Sequence, residues 1–176
     1  MSSYTISANA VAHTEDEEGF RTEAYQDDGG QWTIGFGTSF FPDGRAVKAG
    51  DIITKADAFT ALTEGMQQRL DIVVKRINVI LNQNQVDAIA DFAYNVGTAN
   101  FIGSHFLLYL NQGNYSLAAD QLLLWVHDHA GNIEPGLVKR RDYDRRLFLT
   151  PMSSPTPSYT VPAPFADGLA GAPDNV

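Results

Sequence analysis

Glu18-Gly-Phe-Arg-Thr-Glu-Ala-Tyr-Gln-Asp27-Asp-Gly-Gly-Gln-Trp-Thr33-Ile-Gly-Phe-Gly37 is where the chain changes character. Ser7 stands one residue before the Gly- and Pro-free run Ala8–Glu18, and Gly19 follows it, so the stretch opens on the last turn of a helix. That helix offers little apolar surface beyond Ala10 and Val11. Turn signals then follow at Asp28-Gly29-Gly30 and Pro42-Asp43-Gly44, with β-compatible runs at residues 32–36 and 46–48. Residues 25–53 therefore read as a small twisted hairpin region.

From about residue 55 the pattern is helical. Thr54-Lys-Ala-Asp57 resembles a capping box, and Ala56, Phe59, Leu62, Met66, Leu70 and Val73 follow at helical spacing. Asn82-Gln-Asn-Gln85 is a second cap, opening the central buried helix with Val86, Ile89, Ala90 and Ala93 on one face and Gly97 beyond its end. Ser104 caps a short helix that stops at Gly113. Asn114 or Ser116 caps residues 117–126, and Pro135-Gly136 opens a last helix reaching about Leu149. The expectation is an α+β fold: six or seven helices and one small N-terminal antiparallel sheet.

With 176 residues, 44% of them hydrophobic, the chain is long enough for one self-supporting core. Zero cysteines exclude a disulfide framework, a thiolate metal site and a cysteine nucleophile. Twelve Lys and Arg against 21 Asp and Glu give a net charge of −9, whose field disfavours nucleic acid and anionic membranes. No apolar run is long enough to span a bilayer, and the first residues lack a secretory pattern, so synthesis in the cytoplasm is expected. Six of the eight prolines fall in the last 26 residues, which hold no Lys or Arg. The expected division is a folded unit over residues 1–150 and a Pro-rich tail over 151–176. The tail reads as a linker, or as a strap docked through Tyr159 and Phe165.

Glu15-Asp16-Glu17-Glu18 alone would be a solvated face, yet four acids at a helix C-terminus oppose the macrodipole. Asp27 lies nine residues beyond Glu18 and Thr33 six beyond that. A carboxyl at a helix end opposite an acid on a hairpin suits bond cleavage by a proton donor and a water-activating partner.

These residues carry a family resemblance. Glu18-Gly-Phe-Arg21, Ala24-Tyr25-Gln-Asp27 and Trp32-Thr33-Ile-Gly-Phe-Gly37, at the spacing Glu-x8-Asp-x5-Thr, resemble the N-terminal signature of the phage-type lysozymes, the endolysins of glycoside hydrolase family 24. Ala90-Asp-Phe-Ala-Tyr-Asn95-Val-Gly97, Leu110-Asn-Gln-Gly-Asn114, Trp125 and Pro135-Gly-Leu-Val-Lys-Arg-Arg141 follow in family order, so the resemblance covers roughly residues 5–149. It implies a β-rich lobe and a helical lobe flanking a cleft, and hydrolysis of the β-1,4 bond between N-acetylmuramic acid and N-acetylglucosamine with inversion. Glu18 would be the general acid, Asp27 would support water and the developing positive charge, and Thr33 would position that water. Tyr25, Asn95 and Arg141 are expected to bind substrate or support the site. The partner would be the peptidoglycan glycan strand, met by a monomer with no cofactor, accumulated in the host cytoplasm and released through a holin. A non-catalytic glycan-binding or scaffold module on the same fold is the alternative.

Three departures from the family pattern matter. Thr38 stands where most members carry His, which implies an absent or remade hydrogen bond near the acid. His13 and Thr14 replace apolar residues on the first helix, which implies weaker packing beneath Glu18. Asp144 replaces a common Glu. Lys139, Arg140, Arg141, Arg145 and Arg146 put five of the 12 basic residues on one helix. They either balance acids elsewhere or turn Arg140 or Arg141 inward to pair with Glu18. His127-Asp-His129 lacks a second cluster at ligand spacing, so no metal is expected, and Ser104 reads as a cap rather than a nucleophile.

Overall fold

The computed structural model describes residues 4–27, 29–41, 43–128 and 130–151. Among these the chain forms α1 (Ala8–Glu18), β1 (Arg21–Gln26), β2 (Trp32–Gly35), α2 (Lys55–Val73) followed by a 3-10 turn at Val74–Arg76, α3 (Gln83–Val96), α4 (Thr98–Gly103), α5 (His105–Asn111), α6 (Tyr115–Leu122) and α7 (Pro135–Leu149). The tail segment containing Tyr159 and Phe165 lies outside the described residues.

Local chemistry fixes the helix starts. The side chains of Ser7, Thr54, Asn82 and Ser104 each accept an amide hydrogen bond from the first turn they precede. Asn82 and Gln85 do so reciprocally, at 3.0 and 2.9 Å. Asn114, rather than Ser116, caps α6, accepting from the Leu117 amide. That helix ends at Leu122, four residues before the expected stop, and Trp125 lies in the loop beyond it.

The sheet differs from the reading. Its two strands are β1 and β2, antiparallel, with Arg21 opposite Gly35 and Tyr25 opposite Thr33. Between these pairs three residues of β1 thus face one of β2, an irregularity that bends the strand. Residues 46–48 form no strand; Ala46 makes a single bridge to Phe40. β2 lies on α2 so closely at Gly35 that an added Cβ would be 2.9 Å from the Ala58 Cβ. Gly35 also has φ +65°, so position 35 admits glycine on two counts.

α3 is the hub, packed by α1, α2, α4 and α7, and its residues 86–94 are all buried. A helix buried on every side must carry side chains that suit every neighbour. Phe92 meets Phe101, Phe106 and Trp125 at ring-centroid distances of 5.8, 5.7 and 5.6 Å, with Phe148 edge-on to Phe106 at 5.3 Å. Trp125 is partly buried and packs against the core. Two of the side chains buried on α3, Asp87 and Asp91, are acids, and both reach α1.

Candidate active site

α1 has little apolar surface to hold it, and polar bonds do much of the work instead. At its start the amide and hydroxyl of Ser7 donate to the two carboxylate oxygens of Asp87, at 3.0 and 2.6 Å. In its middle the fully buried Thr14 hydroxyl lies 2.7 Å from Asp91 Oδ1. Near its end Lys55 Nζ pairs with Glu15 at 2.9 Å. The expectation that Thr14 weakens this helix is thus corrected: the hydroxyl finds a buried carboxylate and pins the helix one turn before Glu18.

Glu18 is the last residue of α1, and its side chain keeps 20% exposure. Arg140 Nη1 donates to Glu18 Oε1 at 2.7 Å. On the hairpin side, a Cβ at Gly37 would lie 3.1 Å from Glu18 Oε2, and Gly37 has φ +82°. Glycine there lets the hairpin backbone come up against the carboxyl. The Thr38 hydroxyl is spent on the Phe40 carbonyl at 2.6 Å, so Arg140 supplies the contact to Glu18.

Asp27 follows β1 in the turn. Its Oδ1 accepts from the amides of Gly29 and Gln31 at 3.0 and 2.8 Å, which fixes the carboxylate in an Asx-type turn. The Gln31 carbonyl in turn accepts from the Asp27 amide at 3.0 Å and from the buried Thr33 hydroxyl at 3.1 Å. Gln31 therefore links Asp27 and Thr33, a role the sequence reading missed. Tyr25 stands across the sheet from Thr33, with the Arg21 guanidinium 4.1 Å above its ring.

Arg140 and Arg141 are both buried but do different things. Arg140 uses Nε and Nη2 on Asp91, at 2.8 and 2.9 Å, and Nη1 on Glu18. Arg141 does not reach Glu18. It lies fully buried between Asp144 at 3.0 Å, Asp91 at 3.4 Å and Asn95 at 3.1 Å. Of the two roles expected for Arg141, its buried contacts to Asp91 and Asn95 place it among the groups beneath the site. Neighbours on a helix point about 100° apart, and only Arg140 faces the end of α1.

Burial alone would raise the Asp91 carboxyl, but the charge and hydrogen bonds of Arg140, with Arg141 and Thr14, hold it well below the usual carboxylate range. Asp144 goes the other way. Burial and the negative charge of Asp91 push it well above that range, against the pull of Arg141. Asp91, Asp144 and His13 bring ligand atoms within 4.8 Å of one another, but two guanidiniums already supply the positive charge that a cation would bring.

His13 stacks on Tyr143 at 3.6 Å, and its Nε2 is buried without a hydrogen-bond partner. Burial lowers its pKa, opposed by Asp91. Below pH 6.5 the unfolded chain takes up a proton that the folded one refuses, so stability falls as pH drops through the lowered folded value. Thermal melts are expected to show a smaller loss between pH 7 and 5 in His13→Phe, which keeps the stacked ring, than in wild type. An equal loss in both would exclude His13 as the cause.

A cleft of about 600 Å3 opens between the hairpin region and α2, and its lining includes neighbours of the site rather than Glu18, Asp27 or Thr33 themselves. Gln31, Thr38 and Phe40 line it from the hairpin side, Glu64 and Arg69 from α2, and Thr98 from α4. Gln31 and Thr38 border the site, being joined respectively to Asp27 and Thr33 and to Gly37 beside Glu18. The Tyr94 hydroxyl donates to the Phe36 carbonyl at 2.9 Å, tying α3 to the hairpin. Burial and the Glu18 charge raise Tyr94 above its usual range, so it stays protonated. Asn95 lines a separate cavity of about 580 Å3 with Trp125, His127 and Glu134. His127 bridges to Ile133, Asp128 accepts from the Ala130 and Asn132 amides, and His129 lies outside the described residues.

A carboxyl at a helix end, set against a hairpin that carries a second carboxylate and a threonine beside an open cleft, is the arrangement of the lysozyme-like fold. Residues 15–144 match the sequence model of the family described as phage lysozyme, and the chain belongs to that family. It is 40% identical over 145 residues to the endolysin of Salmonella phage P22, covering 82% of this chain and 98% of that one. A crystal structure of a P22 lysozyme mutant superposes with a TM-score of 0.71 at 38% identity, covering 84% of this chain and 99% of that one. The muramidase domain of SpmX from Asticaccaulis excentricus gives 0.74 at 30% identity, with 84% and 99% covered.

Proposed function

We propose that this protein is an N-acetylmuramidase that cleaves the β-1,4 bond between N-acetylmuramic acid and N-acetylglucosamine of peptidoglycan, with inversion. The observation that carries the reading is Glu18, fixed at the end of α1 between Arg140 and Gly37, against the hairpin that holds Asp27 and Thr33. Glu18 protonates the glycosidic oxygen as the bond breaks. The Asp27 carboxylate, with Oδ1 held by two amides, steadies the attacking water and the oxocarbenium-like charge. Thr33 orients that water. An inverting pair works with roughly 6.5–9.5 Å between the carboxyls, enough for a water beside the sugar.

The catalytic unit is residues 1–150, acting as a monomer, and residues 151–176 are an appended tail. The P22 endolysin supports this division, since 145 residues of this chain cover 98% of it. The names of the relatives support a role in host lysis. In that role the protein accumulates in the host cytoplasm and reaches the wall when a holin opens the membrane.

Digestion of purified murein tests the reading. New reducing ends on N-acetylmuramic acid, appearing first as the α-anomer, are expected. Reducing ends on N-acetylglucosamine, or binding without any new ends, would overturn it, the latter in favour of the non-catalytic alternative.

A further inference from the structure

A guanidinium 2.7 Å from the carboxyl that must donate a proton is a problem for an acid catalyst. An adjacent cation favours the ionised carboxylate, and a general acid is useful only while protonated. The structure contains an answer one residue deeper. Arg140 gives two of its three nitrogens, in a bidentate fork, to Asp91, and only Nη1 to Glu18. The Asp91 side chain is 2% exposed against 20% for Glu18, so the stronger attraction acts on the deeper acid. Asp91 is itself held by the Thr14 hydroxyl of α1 at 2.7 Å. One carboxylate thus grips both the arginine that touches Glu18 and the helix that carries it.

We propose that Asp91 is a positioning residue for the general acid: by fixing and neutralising the Arg140 guanidinium, it lets Glu18 keep its proton to higher pH. This rests on the lysozyme reading of Glu18. The surrounding charges do not supply a substitute. From α1 come His13 and Glu17, and from α3 Tyr94, which stays protonated. From α7 come Arg141, already shared by Asp144, Asp91 and Asn95, then Tyr143, whose ring stacks on His13, and Asp144, whose carboxyl is pushed well above its usual range by burial and the Asp91 charge. Arg69 of α2 lies 4.6 Å over the Tyr94 ring, and Tyr25 of β1 stands under Arg21. Of the acids among them, only Asp91 meets Arg140 through two hydrogen bonds.

The test is the pH profile of kcat/KM on purified murein for wild type, Asp91→Asn, Arg140→Gln and the double variant. A general acid is lost as pH rises, so its titration sets the alkaline limb. Asp91→Asn is expected to move that limb down by about one pH unit or more, while the acid limb stays. Arg140→Gln moves it up, and the double variant, with both charges gone, returns it close to wild type. A uniform drop in activity for Asp91→Asn with an unmoved alkaline limb would overturn the proposal and leave Asp91 a structural residue. If Asp91→Asn does not fold, the double variant decides, and a limb displaced by a unit or more there also overturns it. Wild type that releases no reducing ends refutes the lysozyme reading instead. NMR titration of the Glu18 carboxyl in wild type and Asp91→Asn then still tests the charge argument: a lower titration point in the variant supports it, and an unchanged one overturns it.

Discussion

Glu18→Gln is expected to reduce release of reducing ends from murein by roughly 100- to 10,000-fold, while the protein melts within a few degrees of wild type. The substitution is nearly isosteric. A glutamine oxygen still accepts from Arg140 Nη1, and the glutamine fits beside Gly37 as the glutamate does. What disappears is the dissociable proton, without which the leaving sugar must depart as an alkoxide. The cost in stability is small because the Glu18 side chain is partly solvated and Arg140 keeps its bidentate contact to Asp91. Clearing of permeabilised Gram-negative cells, followed alongside a thermal melt, separates the two effects. A folded Glu18→Gln protein that clears cells as fast as wild type would remove this residue from the chemistry.

Part of this site was legible in the chain because it is local. Ser7, Thr54, Asn82 and Ser104 announce helix starts by chemistry that reaches only three residues ahead. Pro135 does the same for α7. The pairing of β1 was not legible, since Arg-Thr-Glu-Ala-Tyr-Gln lacks apolar alternation and its pairing is irregular. α4 was missed because six residues after a glycine show no period. The polar cluster beneath Glu18 is a different matter. Its contacts join residues 77, 49 and 122 positions apart, so no window contains them. A signal was nevertheless present: Asp87 and Asp91 one turn apart on a helix otherwise fit for a core. Acids on such a helix need partners, and the reading that one of two arginines turns inward named one of those partners without its phase.

That cluster also sets the largest expected effect on stability. Arg141→Met is expected to cost about 3–5 kcal/mol at pH 7, the usual penalty for removing one member of a buried ion pair. At about 2–4 °C per kcal/mol for a body of this size, melting should fall by roughly 6–20 °C. Methionine matches the stem of Arg141 and keeps contact with the Phe92 ring, over which the guanidinium lies at 5.1 Å. It returns nothing to Asp144, Asp91 or Asn95. The pH dependence tells charge from packing. Asp144 has a raised folded pKa, so its contribution to stability is fully present below the unfolded carboxylate value and is lost as pH rises through the folded one. Without Arg141 to offset burial and the Asp91 charge, that loss grows. The gap between wild type and Arg141→Met should therefore narrow as pH falls through the range in which the wild-type Asp144 titrates, because a protonated Asp144 needs no cation. Arg141→Met combined with Asp144→Leu should recover part of the loss at pH 7, since the acid left unpaired by the first change is then gone. A single variant that melts within about 2 °C of wild type at pH 7, or a gap that stays the same across the range in which Asp144 titrates, would show that Arg141 holds the core by its bulk and not by its charge.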